Sequence, residues 1–316
     1  MSTLAYFHLL ADRAGAPAAL LYAADADADG PDGLDGATLR ALSGQLACFY
    51  RPQGPAPAAL PENGWRALDP ARVLRADLPL ETAPAPAVAW IAGDWYLAPP
   101  GKPLAAQSAS RALALQLVQL VARDADTHEI EALLRHDPTL SYHLLRLVNS
   151  GGVGNGRRVA SFAQAILILG RQQLRRWLNL MLFAARERDA RSAMLLARVA
   201  VRARALELLA RECGLDRHTQ ELAFMCGMFS LLGVLFGAPL PELLAPLMVD
   251  EAVQAALLSR GGELGALLAL LEAAEQERYP ELARRLAALG LEAGQFHAAA
   301  LAAHLWMLGV VGEAHD

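Results

Sequence analysis

From residue 108 to the C terminus the apolar residues recur at helical spacing, with no stretch of strand-like alternation, and this constrains the fold more than any other feature. Leu113, Leu117, Leu120 and Val121 share one face, and Asp126 with Glu129 opens a second helix as a capping pair. Asp137-Pro138 starts a third, with Leu140, Leu144, Leu147 and Val148 on its apolar side, ending at Asn149-Ser150-Gly151-Gly152. Ser161 and Gln164 form a capping box for a helix that stops at Gly170. Helices are expected next over 171–185, then long ones over about 192–212 and 219–236, with Pro280 in the first turn of a later one.

Before residue 100 the character is different. Proline, glycine and aspartate cluster at 24–33, 51–64 and 82–87 and cut the chain into short apolar runs. Residues 18–22 read as a strand, 38–46 as a short helix, and 88–91 with 95–97 as a hairpin turning at Ala92-Gly93-Asp94. Pro99-Pro100-Gly101-Lys102-Pro103 reads as a linker. The expected fold class is therefore mainly α: a small α/β domain over 1–102, then an all-helical bundle over 103–316.

Composition narrows the function classes. With 54% hydrophobic and 19% charged residues the chain can bury a large core, and a net charge of −5 points to no nucleic-acid or membrane partner for the chain as a whole. Arginine is nonetheless concentrated in 157–211, where twelve face only Glu187, Asp189 and Glu207. Cys48, Cys213 and Cys226 are scattered and odd in number, which suits structural thiols in a reducing cytoplasm. No basic and apolar leader opens the sequence. Residues 223–241 carry no charge and are long enough to span a bilayer, but three glycines, two prolines and the lack of basic flanks favour a buried helix.

The adjacent His136-Asp137 is the most provocative chemistry, because a His-Asp doublet binds the metal in a large class of phosphohydrolases. Local physics favours a helix start. Asp137 is placed to accept from the orphan amides of the first turn, and Pro138 lacks the amide that would be orphaned. The positive end of the helix dipole also disfavours a cation there. The glycine loop 151–156 lacks the ending of a phosphate-binding loop and follows a helix. Arg171, Arg175 and Arg176 recur at helical spacing and suit either phosphate contacts or a solvated face. The helix they open is too apolar to read a DNA groove. Glu272, Glu275 and Glu277 read as solvent-face charges.

The order of three segments, DPTLSYHLLRLVNS, SFAQAILILGRQQLRRWL and AFMCGMFSLLG, resembles the HDOD domain, a helical bacterial signalling module related to the HD phosphohydrolases. The resemblance extends over about 103–312 and is closer to the branch in which this module follows an EAL domain, the cyclic di-GMP phosphodiesterase fold. It makes Asp137, Pro138, Ser141, Gln164, Gly170, Trp177, Gly227, Ser230 and Gly233 the motif positions. In HD enzymes the doublet lies in a buried helix, and the matching places here are Ser230 and Leu231, which offer no metal ligand set. About 100 residues cannot build an EAL barrel, so the N-terminal part resembles at most a shortened remnant. The resemblance implies a cytoplasmic output protein that is not an enzyme, holds no cofactor and binds other signalling proteins, among them components of a cyclic di-GMP pathway. Neither DNA nor a membrane is an expected partner, and the sequence sets no oligomeric state. Asn149 and Ser150, then Arg171, Arg175 and Arg176, are the candidate contact residues. Nucleotide binding through the arginine-rich centre and a residual metal-dependent phosphohydrolase remain the alternatives.

Overall fold

A computed structural model describes residues 3–25, 32–52, 57–80, 82–98, 190–245 and 249–315, together with parts of 116–134 and Arg176. Strand β1 (Ala5–Ala11) and strand β2 (Pro17–Ala24) pair antiparallel around a tight turn. Asp12 sets that turn: its Oδ1 accepts from the amides of Ala14 at 2.8 Å and Ala16 at 3.0 Å, and Gly15 takes the left-handed φ of +87° that the turn requires. Apart from His8, both strands are largely apolar because both faces are mostly covered.

Four shorter strands complete one sheet: β3 (Ala47–Tyr50), β4 (Arg66–Ala67), β5 (Val73–Arg75) and β6 (Trp90–Ala92), in the order β4-β3-β2-β1-β6-β5. Strand β1 is antiparallel to both of its neighbours, while β2, β3 and β4 pair parallel, as do β5 and β6. All strands but β1 therefore run the same way. Helix α1 (Gly36–Ser43), capped by Asp35, crosses from β2 to β3. A single helical turn, α2 (Ala59–Glu62), precedes β4.

Beyond the sheet, helix α3 (Thr127–Leu134) stands apart in sequence from a set that begins with α4 (Ala190–Glu212) and α5 (Arg217–Phe229). Short helices α6 (Leu232–Phe236) and α7 (Leu240–Leu244) lead to α8 (Glu251–Ser259), α9 (Gly262–Glu275), α10 (Tyr279–Leu289) and α11 (Ala293–His315). Pro280 does stand in the first turn of α10. Helices α4 and α5 approach so closely that a Cβ on Gly227 would lie 2.5 Å from Ala203 Cα. The apolar stretch Arg217–Phe236 passes the length and hydropathy test for a membrane span, yet 56% of its window is buried inside the protein, as in a core helix.

This architecture corrects the expected fold class. The N-terminal part is not a small, loop-rich α/β unit in front of an all-helical bundle; it is a six-stranded, curled mixed sheet with a helical part packed on it. One hydrophobic core runs through both: Tyr6, Phe7, Leu39, Trp65 and Trp95 join Leu196, Val199, Phe224, Leu267, Phe296 and Leu301. Two physical causes hid the sheet. Strand β1 is buried on both faces and so shows no alternation, and β4, β5 and β6 are two or three residues long, too short for any period. The expected hairpin at 88–97 is also replaced. Residues Trp90–Ala92 pair in parallel with β5, and Trp95–Leu97 form a 3-10 turn.

Candidate functional site

Ten of the residues singled out in the sequence, Asp137, Pro138, Ser141, Asn149, Ser150, Gln164, Gly170, Arg171, Arg175 and Trp177, lie outside the described residues. Arg176 is placed: its guanidinium pairs with Glu207 and sits 4.6 Å from the ring centroid of Phe224, in a side chain only 15% exposed. Gly227, Ser230 and Gly233 fall at the end of α5 and in the first turn of α6.

Ser230 ends helix α5, and its hydroxyl donates to the Gly227 carbonyl at 2.7 Å. Across from it Arg202, on α4, donates from Nη1 to Ser230 Oγ at 3.0 Å. The rest of that guanidinium grips Glu275 of α9 through two bonds, Nε to Oε1 at 2.8 Å and Nη2 to Oε2 at 2.6 Å. Arg198, one helical turn earlier on α4, places Nη2 3.2 Å from the same Oε2. The three side chains are 5%, 7% and 2% exposed, so this is a dry ionic centre with two guanidinium groups sharing one carboxylate. Burial alone would raise the Glu275 carboxyl, but the charges of Arg198 and Arg202 outweigh it and hold it below the ordinary value.

A second ionic group lies beside the first. Glu277, in the link between α9 and α10, adopts a left-handed φ of +53°, unusual for a side-chain-bearing residue. That conformation accompanies a carboxylate turned to the sheet, where Oε1 is 3.1 Å from His8 Nε2 on β1 and Oε2 accepts from Arg51 Nη1 at 2.7 Å. The hydrogen bond from His8, with that from Arg51, holds the Glu277 carboxyl well below the usual range despite partial burial.

Both groups open onto one cavity of about 570 Å³. Its sheet side carries His8 and Leu21, which face one another across β1 and β2. Its rim is formed where strands running in the common direction end: Arg51 after β3, Arg75 and Asp77 at β5, Gly93 and Asp94 after β6. Arg198, Glu275 and Glu277 close it from the helical side. Carboxyl ends of parallel strands are where ligands gather in open and closed α/β sheets, because the loops that follow are free to vary. Among the described residues no three His, Cys, Asp or Glu side chains cluster as a metal site.

Sequence reasoning missed this site. Glu275 and Glu277 are not solvent-face charges: the first is 2% exposed between two arginines, and the second ties the helical link to the sheet. Glu272 is partly buried too, at 20% exposed, and pairs with Arg260, whose side chain is at the surface. One signal was available. Arg198 and Arg202 stand four apart in the run MLLARVAVRA, where apolar residues surround them on every face of the helix. A charge in such a place must be buried and paired.

Known proteins resemble this chain over part of its length. The family model described as the HDOD domain matches residues 109–242. The cyclic di-GMP phosphodiesterase CdgJ of Vibrio cholerae serotype O1 is 30% identical over 200 residues, 63% of this chain and 46% of that protein. Protein YuxH of Bacillus subtilis is 26% identical over 165 residues, 52% of this chain and 40% of that one. The chain thus spans less than half the length of these curated relatives. A crystal structure from Shewanella amazonensis SB2B, described as a candidate phosphohydrolase, is 18% identical with a TM-score of 0.45, covering 64% of this chain and 93% of that one. The name of the Vibrio relative overturns the expectation, built on Ser230 and Leu231, that a chain of this kind is not an enzyme. Residues 109–242 match the HDOD domain, and over part of its length the chain is similar to these two relatives.

Proposed function

We propose that this chain is an output protein of bacterial signal transduction whose HDOD domain acts by binding a partner protein. The observation that carries the reading is the match to the HDOD domain over 109–242. Asn149 and Ser150, with Arg171 and Arg175, are the side chains assigned to the contact. The partner belongs to a cytoplasmic signalling pathway, with cyclic di-GMP components first among the candidates. In-cell crosslinking followed by mass spectrometry tests this. A discrete partner is expected with the unaltered chain and is expected to be lost in the doubly substituted Asn149→Ala, Ser150→Ala chain at unchanged melting temperature. The same partners at the same yield in both chains would overturn the assignment.

The Ser230-Leu231 position is proposed to hold no metal. Leucine has no donor atom, and the guanidinium of Arg202 lies 3.0 Å from the Ser230 hydroxyl, a fixed positive charge where a cation would have to sit. Elemental analysis of the purified protein reads this directly. The curled sheet, with all strands but β1 running one way, supports a shortened barrel as the origin of the N-terminal part.

A second reading, hydrolysis of cyclic di-GMP, takes its support from the 30% identical relative that is named for that activity. Conversion of cyclic di-GMP to its linear dinucleotide by the purified chain, with and without added divalent cation, separates it from pure partner binding.

A further inference from the structure

The cavity between the sheet and helices α4 and α9 rests on a buried ionic centre with a charge imbalance, in which Arg198 and Glu275 line the cavity and Arg202 lies behind them. Arg198 and Arg202 bring two positive charges, Glu275 brings one negative charge, and all three side chains are at least nine-tenths buried. A buried charge without a counter-charge is costly, and native structures keep one where something supplies the counter-charge. The neighbouring acids are not free to do so. Glu277 is committed to Arg51 and His8, Glu272 to Arg260, and Asp77 lies 3.9 Å from Arg75 at the exposed rim. Asp94 is exposed at the mouth, where water screens it.

One further group points the same way. Among the described residues, Nε of Arg198 has no hydrogen-bond acceptor although the side chain is 5% exposed and lines the cavity. Buried donors without acceptors cost about 1–3 kcal/mol each and are explained most simply by an acceptor that arrives from outside.

We propose that this cavity is a binding site for a small molecule bearing an oxyanion, a phosphate or a carboxylate, with Arg198 in the floor as the principal contact and Arg75 at the rim. A volume of about 570 Å³ fits a metabolite of ordinary size rather than a lone ion. The bound anion neutralises the floor and leaves Glu275 to Arg202. Because Arg202 also holds Ser230 at the end of α5, occupancy of the cavity bears on the helix pair α4–α5, which lies wholly within the residues matched by the HDOD domain. The site stands on its own geometry, whatever partner the domain binds.

The test uses the purified full chain, with melting and calorimetric titrations in inorganic phosphate and, separately, in succinate, against sodium chloride at matched ionic strength. One of the two anions is expected to raise the melting temperature beyond the chloride control, which also tells phosphate from carboxylate as the natural group. Arg198→Met is expected to keep the fold, because Glu275 retains Arg202, and to weaken binding by about tenfold or more. Arg75→Ala, at a side chain 77% exposed, is expected to weaken it a few-fold with no change in the fold. The proposal is overturned if the chain responds to neither anion beyond chloride, or if Arg198→Met responds as strongly as the unaltered chain.

Discussion

The helices meet the sheet at two joints built from opposite chemistry. At the first, α11 lies against the start of β1 through neutral hydrogen bonds and ring contacts. His297 accepts the Ala5 amide at Nε2, 3.0 Å away, and therefore carries its proton on Nδ1, which donates to the Asp32 carbonyl at 2.7 Å. His304 is buried against Tyr6 and Phe7. At the second joint, α4 and α9 meet β1 and β3 through Arg198, Arg202 and Glu275, then His8, Arg51 and Glu277. The neutral joint is packed shut, while the ionic one lines a cavity. Charges buried beside a cavity hold a shape that apolar packing would have filled, so the contrast separates the part that supports the fold from the part equipped to bind.

Removing the shared carboxylate breaks the ionic joint most severely. Glu275→Ala leaves two buried guanidinium groups with no counter-charge and is expected to cost about 3–5 kcal/mol, read by urea denaturation. Substituting Glu272, whose partner Arg260 is at the surface, is the control and is expected to cost about 1 kcal/mol or less. Equal costs at the two positions would mean that the centre is not dry.

Acid separates the joints by pH. Burial pushes His297 down and His304 to about 4, so both are neutral in the folded protein and take up protons more readily once unfolded. Their contribution is full above pH 6.5 and falls as pH drops below it, for His304 down to about 4. For His304 the shift amounts to about 3 kcal/mol. Glu275 and Glu277 have lowered values, so their contribution is full above the ordinary carboxylate range and falls only as pH drops below it. Urea midpoints measured from pH 7.5 to 4 are expected to decline first through the histidines, and His304→Gln is expected to flatten the upper part of that decline. An unchanged profile in His304→Gln would remove the neutral joint from the account.

Gly227 tests the packing that neither joint supplies. Its missing Cβ lets α5 rest on the backbone of α4, with 2.5 Å left to Ala203 Cα, so Gly227→Ala must part the two helices. About 1–3 kcal/mol is expected, by thermal melting, with the ionic centre shifted through Ser230 as a second effect.

How much of this was legible in the sequence divides along the same line. Helices α4, α5 and α10 could be read because their apolar period, capping residues and the placement of Pro280 are local signals. The glycine at 227 was visible as a motif position, though its reason is a contact with a residue twenty-four positions earlier. The sheet was hidden by strands too short or too fully buried to alternate. The cavity was hidden because its members, His8, Arg51, Arg198, Glu275 and Glu277, come together only when β1, β3, α4 and α9 assemble. Arg198 and Arg202 inside an apolar helix were the one local clue, and they announce burial without naming Glu275.

The smallest expected effect concerns the outer half of the ionic joint. Arg51 follows β3 and reaches Glu277 over 226 positions of sequence, but its side chain is 40% exposed, so solvent screens the pair and about 1 kcal/mol is the most that Arg51→Ala should cost. Its backbone consequence is more informative than its stability. Glu277 sits in left-handed φ, a conformation that disfavours a residue with a side chain, and the contacts to His8 and Arg51 offset that preference. Glu277→Gly relieves the backbone while deleting both contacts, so the two effects oppose each other and the chain is expected to melt close to the original temperature. Arg51→Ala deletes one contact and relieves nothing. If Glu277→Gly melts no lower than Arg51→Ala, the left-handed link costs about as much as its carboxylate returns, and the outer pair is there to shape the cavity rather than to hold the fold. If Glu277→Gly melts several degrees lower, the carboxylate is a structural clamp between helices and sheet, and the two joints differ less than their chemistry suggests.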